Sequence, residues 1–425
     1  MIFKFVIIIL LFASSYFIFK YFFYKDLVQN INIVTVFFCF FYAFCFVGST
    51  LLFLIEFEQE KYYGFYNNYN YLFTIWLLSY VSLIFFSLGT ILIKRSNKIV
   101  SQIDNSYLNW TVFYILLFMS FIYTIDYRNS LGGFPLEKLF NISENLSLLR
   151  SNATNNYSGK LFIVNIFVVV IPQLLFIIVS FVKKSKKQNI LYIYLFLFNV
   201  FISISTLEKG PLIKFIILLL IIKIIKKEIR FNIKKIIVFT ALFLIIIYSM
   251  YYFIMGQSEK SFYQLNEIIL HRIFISQISS LYWYINFVDF NGFLMGLSFP
   301  NPGGFLPFKS ISLPVKMVEL YKPNVGLTGV VGSMPTVYYG DWYANFGIIG
   351  VSVSSFFFGY VLQFFDNYFN HRFNKTNNIL TLSLYLYMIL FFTKYSGTSN
   401  TGILFDYSFV VPFILIYTLK LKWKN

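Results

Sequence analysis

His271 and Arg272 stand side by side in a chain that has only two histidines. Glu267 precedes His271 by four residues, so on a helix the two share a face. A carboxylate there can orient and polarise the imidazole as a general base. Arg150 and Arg272 lie in two separate connections between apolar runs. A guanidinium stays charged at any relevant pH and grips phosphate with two parallel hydrogen bonds. Two of them on different loops are what a diphosphate would need. Glu208-Lys209 forms a third charged point, and Asp341 a fourth, at the boundary of a late apolar run. A carboxylate in that place can take a proton from a hydroxyl. Plainer readings accompany each residue. The arginines serve equally as solvated or snorkelling side chains, a lone surface histidine as an inert one, and Asp341 as the N-cap of the helix that follows.

The elements that must position these groups are apolar. The chain is 58% hydrophobic and 12% charged, whereas a soluble domain carries about 25% charged residues. Runs such as 2–23, 31–55, 161–182 and 236–255 reach the roughly 20 residues that cross a bilayer as a helix. The pattern predicts an all-α polytopic membrane protein, a single membrane domain over residues 1–425 with about eleven (ten to twelve) spans. The others fall at 71–93, 108–126, 190–206, 211–225, 343–365, 379–393 and 403–419. The first run is too long, and lacks a small-residue cleavage site, to be a removed signal peptide.

Charge orients the bundle. Alternate gaps, taken as inside, hold 20 Lys+Arg against 4 Asp+Glu; the remaining gaps hold 14 against 13, which together make the chain's 34 and 17. That is the positive-inside asymmetry. It places the C-terminus inside and the N-terminus outside. The net charge of +17 follows from basic clusters beside spans, such as Lys183, Lys184, Lys186 and Lys187. These fit topology and anionic lipid, and no nucleic-acid partner is expected. Cys39 and Cys45 sit six residues apart in one run and do not share a helical face, so neither a disulfide nor a metal site is expected.

Two large outer loops remain, at about 127–160 and 256–341. The second carries six of the ten prolines, a density incompatible with continuous helix. Within it, residues 262–290 show helical apolar spacing with polar positions at Gln264, Glu267, His271, Arg272 and Gln277. This predicts an amphipathic helix at the outer membrane surface. The early loop Glu56-Phe57-Glu58-Gln59-Glu60 reads as an acidic flank, although paired acids there also occur in polytopic glycosyltransferases.

The stretch Tyr339-Gly340-Asp341-Trp342-Tyr343-Ala344-Asn345-Phe346-Gly347-Ile348-Ile349-Gly350 resembles the late Gly-acid-x-Tyr-x-Asn-Phe-Gly-x-x-Gly element of Wzy-type O-antigen and capsule repeat-unit polymerases. The tip Thr206-Leu207-Glu208-Lys209-Gly210-Pro211 is similar to that family's short basic-Gly element, with Lys where Arg is more usual. Sequence-specific support covers roughly residues 160–350.

The resemblance implies a metal-independent glycosyltransferase of the bacterial inner membrane, working on the periplasmic side without a cofactor. Its substrates would be undecaprenyl-diphosphate-linked oligosaccharide repeat units, joined by block transfer, with a chain-length regulator protein as a partner and membrane lipid around it. Arg150, Arg272 and Lys209 would bind the diphosphate. His271 or Asp341 would deprotonate the acceptor hydroxyl, and Trp283, Tyr338, Tyr339 and Trp342 would stack on sugar faces. Two other readings stay open: a related O-antigen ligase, and a lipid-linked oligosaccharide flippase or transporter. A transporter would call for intramembrane charges and a repeated architecture, and the sequence displays few such charges and no repeat.

Overall fold

The structure, a computed structural model, describes residues 31–54, 68–93, 108–139, 160–182, 185–205, 209–228, 261–301, 307–323, 332–376, 378–398, 401–403 and 406–420, with isolated residues of the N-terminal run, of 244–252 and of 304–305. The described residues form helices and turns. In chain order the helices are α1 (Ile33–Phe53), α2 (Tyr69–Ile91), α3 (Trp110–Ser130), α4 (Leu161–Phe181), α5 (Lys186–Ser205), α6 (Lys209–Ile225), α7 (Phe262–Leu270), α8 (Leu281–Asn291), α9 (Leu313–Tyr321), α10 (Gly340–Thr376), α11 (Ile379–Lys394) and α12 (Tyr407–Lys420).

Among the described residues, seven helical stretches are long and apolar enough to cross a membrane: α1 to α5, residues Gly340–Phe373 of α10, and Ile379–Gly397. The chain is therefore a multi-pass, all-helical membrane protein. Two further expected spans appear as shorter helices, 211–225 within α6 and 403–419 as α12. The expected spans 2–23 and 236–255 lie largely outside the described residues, as does the acidic loop 56–60.

Asparagine starts three of the spans. Asn32 accepts a hydrogen bond from Thr35 N at 2.7 Å while Thr35 Oγ1 accepts from Asn32 N at 3.1 Å. Asn68 caps α2 and Asn109 caps α3 in the same sense. Each satisfies amide groups that a helix start leaves without an internal partner.

The sequence pattern treats the chain as one domain, whereas the contacts divide it into two compact units. One comprises Met1–Arg95, Val238–Asp366 and Phe392–Gly402; the other comprises Ser96–Ile237, Asn367–Phe391 and Ile403–Asn425. In the first unit, α2 and α10 approach until their backbones touch. A Cβ on Gly89 would collide with Phe356 O, and one on Gly359 with Phe86 O. Small residues permit such packing in lipid, where apolar burial alone gives helices no reason to associate. Hydroxyls add polar links: Tyr339 Oη lies 2.8 Å from Ser79 Oγ, and Tyr338 Oη lies 2.6 Å from Ser82 Oγ and 2.9 Å from Ser355 Oγ. Phe37, Phe41 and Phe358 close around Tyr338, and Phe86 packs against Phe37.

The second unit is built by α3 to α6, the end of α10 from Asn367, α11 as far as Phe391, and α12. Ser120 Oγ of α3 donates to Phe167 O at 2.6 Å, in a π-helical turn of α4 (Asn165–Val170). Asn165 Nδ2 donates to Tyr407 Oη at 2.6 Å, and Asn199 Nδ2 to Pro172 O at 3.2 Å. These polar side chains join neighbouring spans.

Candidate functional site

The 256–341 segment supplies the site in the first unit. Ser261 opens α7 with a capping box: its Oγ accepts from Gln264 N at 3.4 Å, and Gln264 Oε1 accepts from Ser261 N at 3.1 Å. The helical path continues through a π-helical turn, His271–Ile275, then Ser276–Ser279, and then α8. The expected single helix over 262–290 is thus a run of short segments. Its second half is not amphipathic, since Leu281 to Ile285 are all buried. One close contact seats the run: a Cβ on Gly48 of α1 would collide with Phe274 O of the π-helical turn.

The π turn shifts the helical register at the point where His271 and Arg272 sit. His271 is buried, at 6% exposure, and Arg272 is exposed. Burial first, and the neighbouring Arg272 charge second, push the imidazole down from 6.5 to about 4. At neutral pH His271 is therefore uncharged, and Arg272 carries the positive charge.

A second cation joins them. Lys322 ends α9, half-buried, with its backbone N–H on Val318 O at 2.8 Å. Burial and then the Arg272 charge hold its ammonium below the ordinary lysine value. Two contacts to α8 anchor this end of α9. Trp283 and Tyr321 stack with centroids 4.2 Å apart, and Tyr321 Oη donates to Asn286 Oδ1 at 2.6 Å. Among the described residues neither Arg272 nor Lys322 makes an ion pair. The Arg272 charge thus reaches Lys322, and two such cations can attract an anion.

The motif at the start of α10 closes the other side of the segment. Gly347 has φ +61 and ψ −148, which breaks α10. The break takes the carbonyls of Ala344 and Asn345 out of the helical ladder. They accept instead from Leu294 N at 3.0 Å and Met295 N at 3.3 Å. Asn345, fully buried, completes the clasp: its Oδ1 accepts from Gly296 N at 2.7 Å, and its Nδ2 donates to Ser298 Oγ and Asp341 O, both at 2.6 Å. Phe293 lies against Gly347, and Phe299 packs edge-on to Trp342 at 4.8 Å. The Gly-Asp-Trp-Tyr-Ala-Asn-Phe-Gly stretch is a backbone clasp for the glycine-rich turn 292–299.

The individual site residues fare differently. Asp341 lies in the first turn of α10, after Gly340, and is buried. An acid there favours the helix dipole, and its charge adds to burial in raising the Tyr284 phenol. Trp342 is half-buried. Trp283 has Tyr321 on one face and 8% exposure overall. Tyr338 and Tyr339 are enclosed, at 5% and 0% exposure, with their hydroxyls on helix serines. They offer no face to a sugar, because the clasp turns them into the α2–α10 contact. Lys209 begins α6 in the second unit, and Arg150 lies outside the described residues.

Lys322 is the site residue that sequence reasoning passed over. Its signal is faint, a Lys-Pro step after an apolar turn. Asp289 and Asn286 were passed over as well, although Tyr282, Asn286 and Asp289 recur at helical spacing on one face.

Fold and site together define a polytopic helical membrane protein with a cationic cluster in its longest Pro/Gly-rich connection. No family model, curated protein or solved structure matches the chain.

Proposed function

We propose that the protein is a membrane glycosyltransferase that polymerises undecaprenyl-diphosphate-linked oligosaccharide repeat units by block transfer, at the outer face of a bacterial inner membrane. The observation that carries this reading is the Arg272 charge acting on both Lys322 and the neutral, buried His271, with neither Arg272 nor Lys322 ion-paired among the described residues. The likeness of the 339–350 stretch to repeat-unit polymerases agrees with it.

In the transfer, the acceptor hydroxyl oxygen bonds to the anomeric carbon as the bond from that carbon to the diphosphate oxygen breaks. The electron pair leaves with the lipid diphosphate, and the hydroxyl proton passes to His271 or Asp341. Arg272 and Lys322 meet the charge that develops on the diphosphate, an electrostatic contribution that is commonly the largest in catalysis. A bound diphosphate also offsets the Arg272 charge, the smaller influence on His271 after burial.

The test is Arg272→Ala in cells lacking the native copy. Loss of long-chain polysaccharide with accumulation of lipid-linked single repeats is expected. Long chains of normal length and amount would overturn the reading, and long but unattached chains would point to a ligase instead.

A further inference from the structure

One cluster in the first unit is untouched by the mechanism above. Asp289 is exposed near the end of α8. A hydrogen-bonded chain leads to it. Tyr321 Oη donates to Asn286 Oδ1 at 2.6 Å. The Tyr71 hydroxyl stands near both the Asn286 amide and the Asp289 carboxylate. Tyr282, one helical turn before Asn286, packs edge-on to Tyr71 at 5.2 Å. The chain fixes directions at every step. Asn286 has its oxygen used by Tyr321, so its amino group is the one facing Tyr71.

The consequence lies at Asp289. A carboxylate has about four acceptor positions. The Tyr71 phenol lies close enough to use one of them, and the carboxylate as a whole is open to solvent. A ligand that donates several hydrogen bonds and presents apolar C–H faces fits such a carboxylate beside half-buried phenol rings. An anion does not fit, because Asp289 repels it. A metal cation does not fit either: among the described residues no group of three His, Cys, Asp or Glu converges.

We infer that Tyr71, Asn286, Asp289 and Tyr321 form a saccharide subsite, in which Asp289 accepts hydrogen bonds from sugar hydroxyls. It rests on the polysaccharide reading for the class of ligand and adds a place for the sugar. Tyr321 belongs to this chain and Lys322, the next residue, belongs to the cationic cluster. The two subsites therefore meet at adjacent residues, about 3.8 Å apart at Cα. One ligand with a diphosphate end and a neutral, hydroxylated end spans both.

The probe is the lipid-free repeat-unit oligosaccharide cut from the host's own surface polysaccharide. Its binding to the purified full-length protein in lipid nanodiscs is followed by saturation-transfer NMR. The wild type should bind. Asp289→Asn and Tyr71→Phe should each weaken binding about tenfold or more, the loss expected for one or two hydrogen bonds to a charged acceptor. Arg272→Ala with Lys322→Ala should bind this diphosphate-free probe as the wild type does. Melting of each variant confirms its fold, and Tyr71→Phe keeps the test open should Asp289→Asn fail to fold. No binding by the wild type, or undiminished binding by Asp289→Asn and Tyr71→Phe, would overturn the subsite. If sugar binding follows this pattern while Arg272→Ala leaves polymer length normal, the polymerase reading alone falls.

Discussion

Gly347→Ala tests whether the break in α10 holds the site together. Gly347 sits at φ +61, ψ −148, a region open in practice to glycine alone. Forcing another residue there costs roughly 1–3 kcal/mol. A Cβ at this position would also meet the Phe293 ring at 2.9 Å and 3.1 Å. The ring can turn aside, but turning it loosens the 292–299 turn that the clasp holds. Together these effects come to about 2–4 kcal/mol, the upper range for single substitutions. Cys39 and Cys45 are free, and both lie in α1. A thiol-reactive fluorophore therefore reports opening of the first unit as detergent-solubilised protein is heated. Gly210→Ala is the control, since nothing stands within 4 Å of its added Cβ. Gly347→Ala should melt several degrees below the wild type, with Gly210→Ala unchanged or slightly higher. Adding Phe293→Ala to Gly347→Ala should recover only the steric part, because the backbone strain persists. A Gly347→Ala protein that melts with the wild type would refute the clasp argument.

Three further outcomes follow from the geometry. Arg272→Ala and Lys322→Ala should each lower polymer formation in membranes by about 10²- to 10³-fold, as loss of one preorganised donor does, and wild-type activity in both variants would dismiss the cationic cluster. His271 should make the protein acid-sensitive. Its folded value of about 4 lies below its ordinary 6.5, so between these pH values the unfolded chain binds the extra proton. Stability then falls as pH drops from 6.5 to 4, by up to about 3 kcal/mol, and levels off below. Melting curves at pH 7 and pH 4.5 should show this slope in the wild type and a flatter one in His271→Gln. Gly359→Leu should disrupt the α2–α10 contact, where Phe86 O leaves no room for a side chain; a folded, unshifted melt would show that these helices can separate freely.

Much of the architecture was legible in the chain itself. Apolar runs of about 20 residues become helices because lipid leaves the backbone no other partner. His271 and Arg272 were found as adjacent residues in an unusual connection.

What neighbours they acquire was decided by tertiary structure. Lys322 stands fifty residues beyond Arg272, and the Trp283–Tyr321 stack anchors the helix end that carries it. Stacking depends on two helices meeting at a particular height, which no local pattern encodes. Tyr338 and Tyr339 illustrate the same limit. As sequence they are aromatic residues beside a candidate motif, fit to bind sugar. In three dimensions the break at Gly347, the glycine contacts of α2 with α10 and the helix serines turn both rings inward. Composition and period determine that a segment is helical and apolar. Which face of it stays available to a ligand is decided only when backbones close to contact distance.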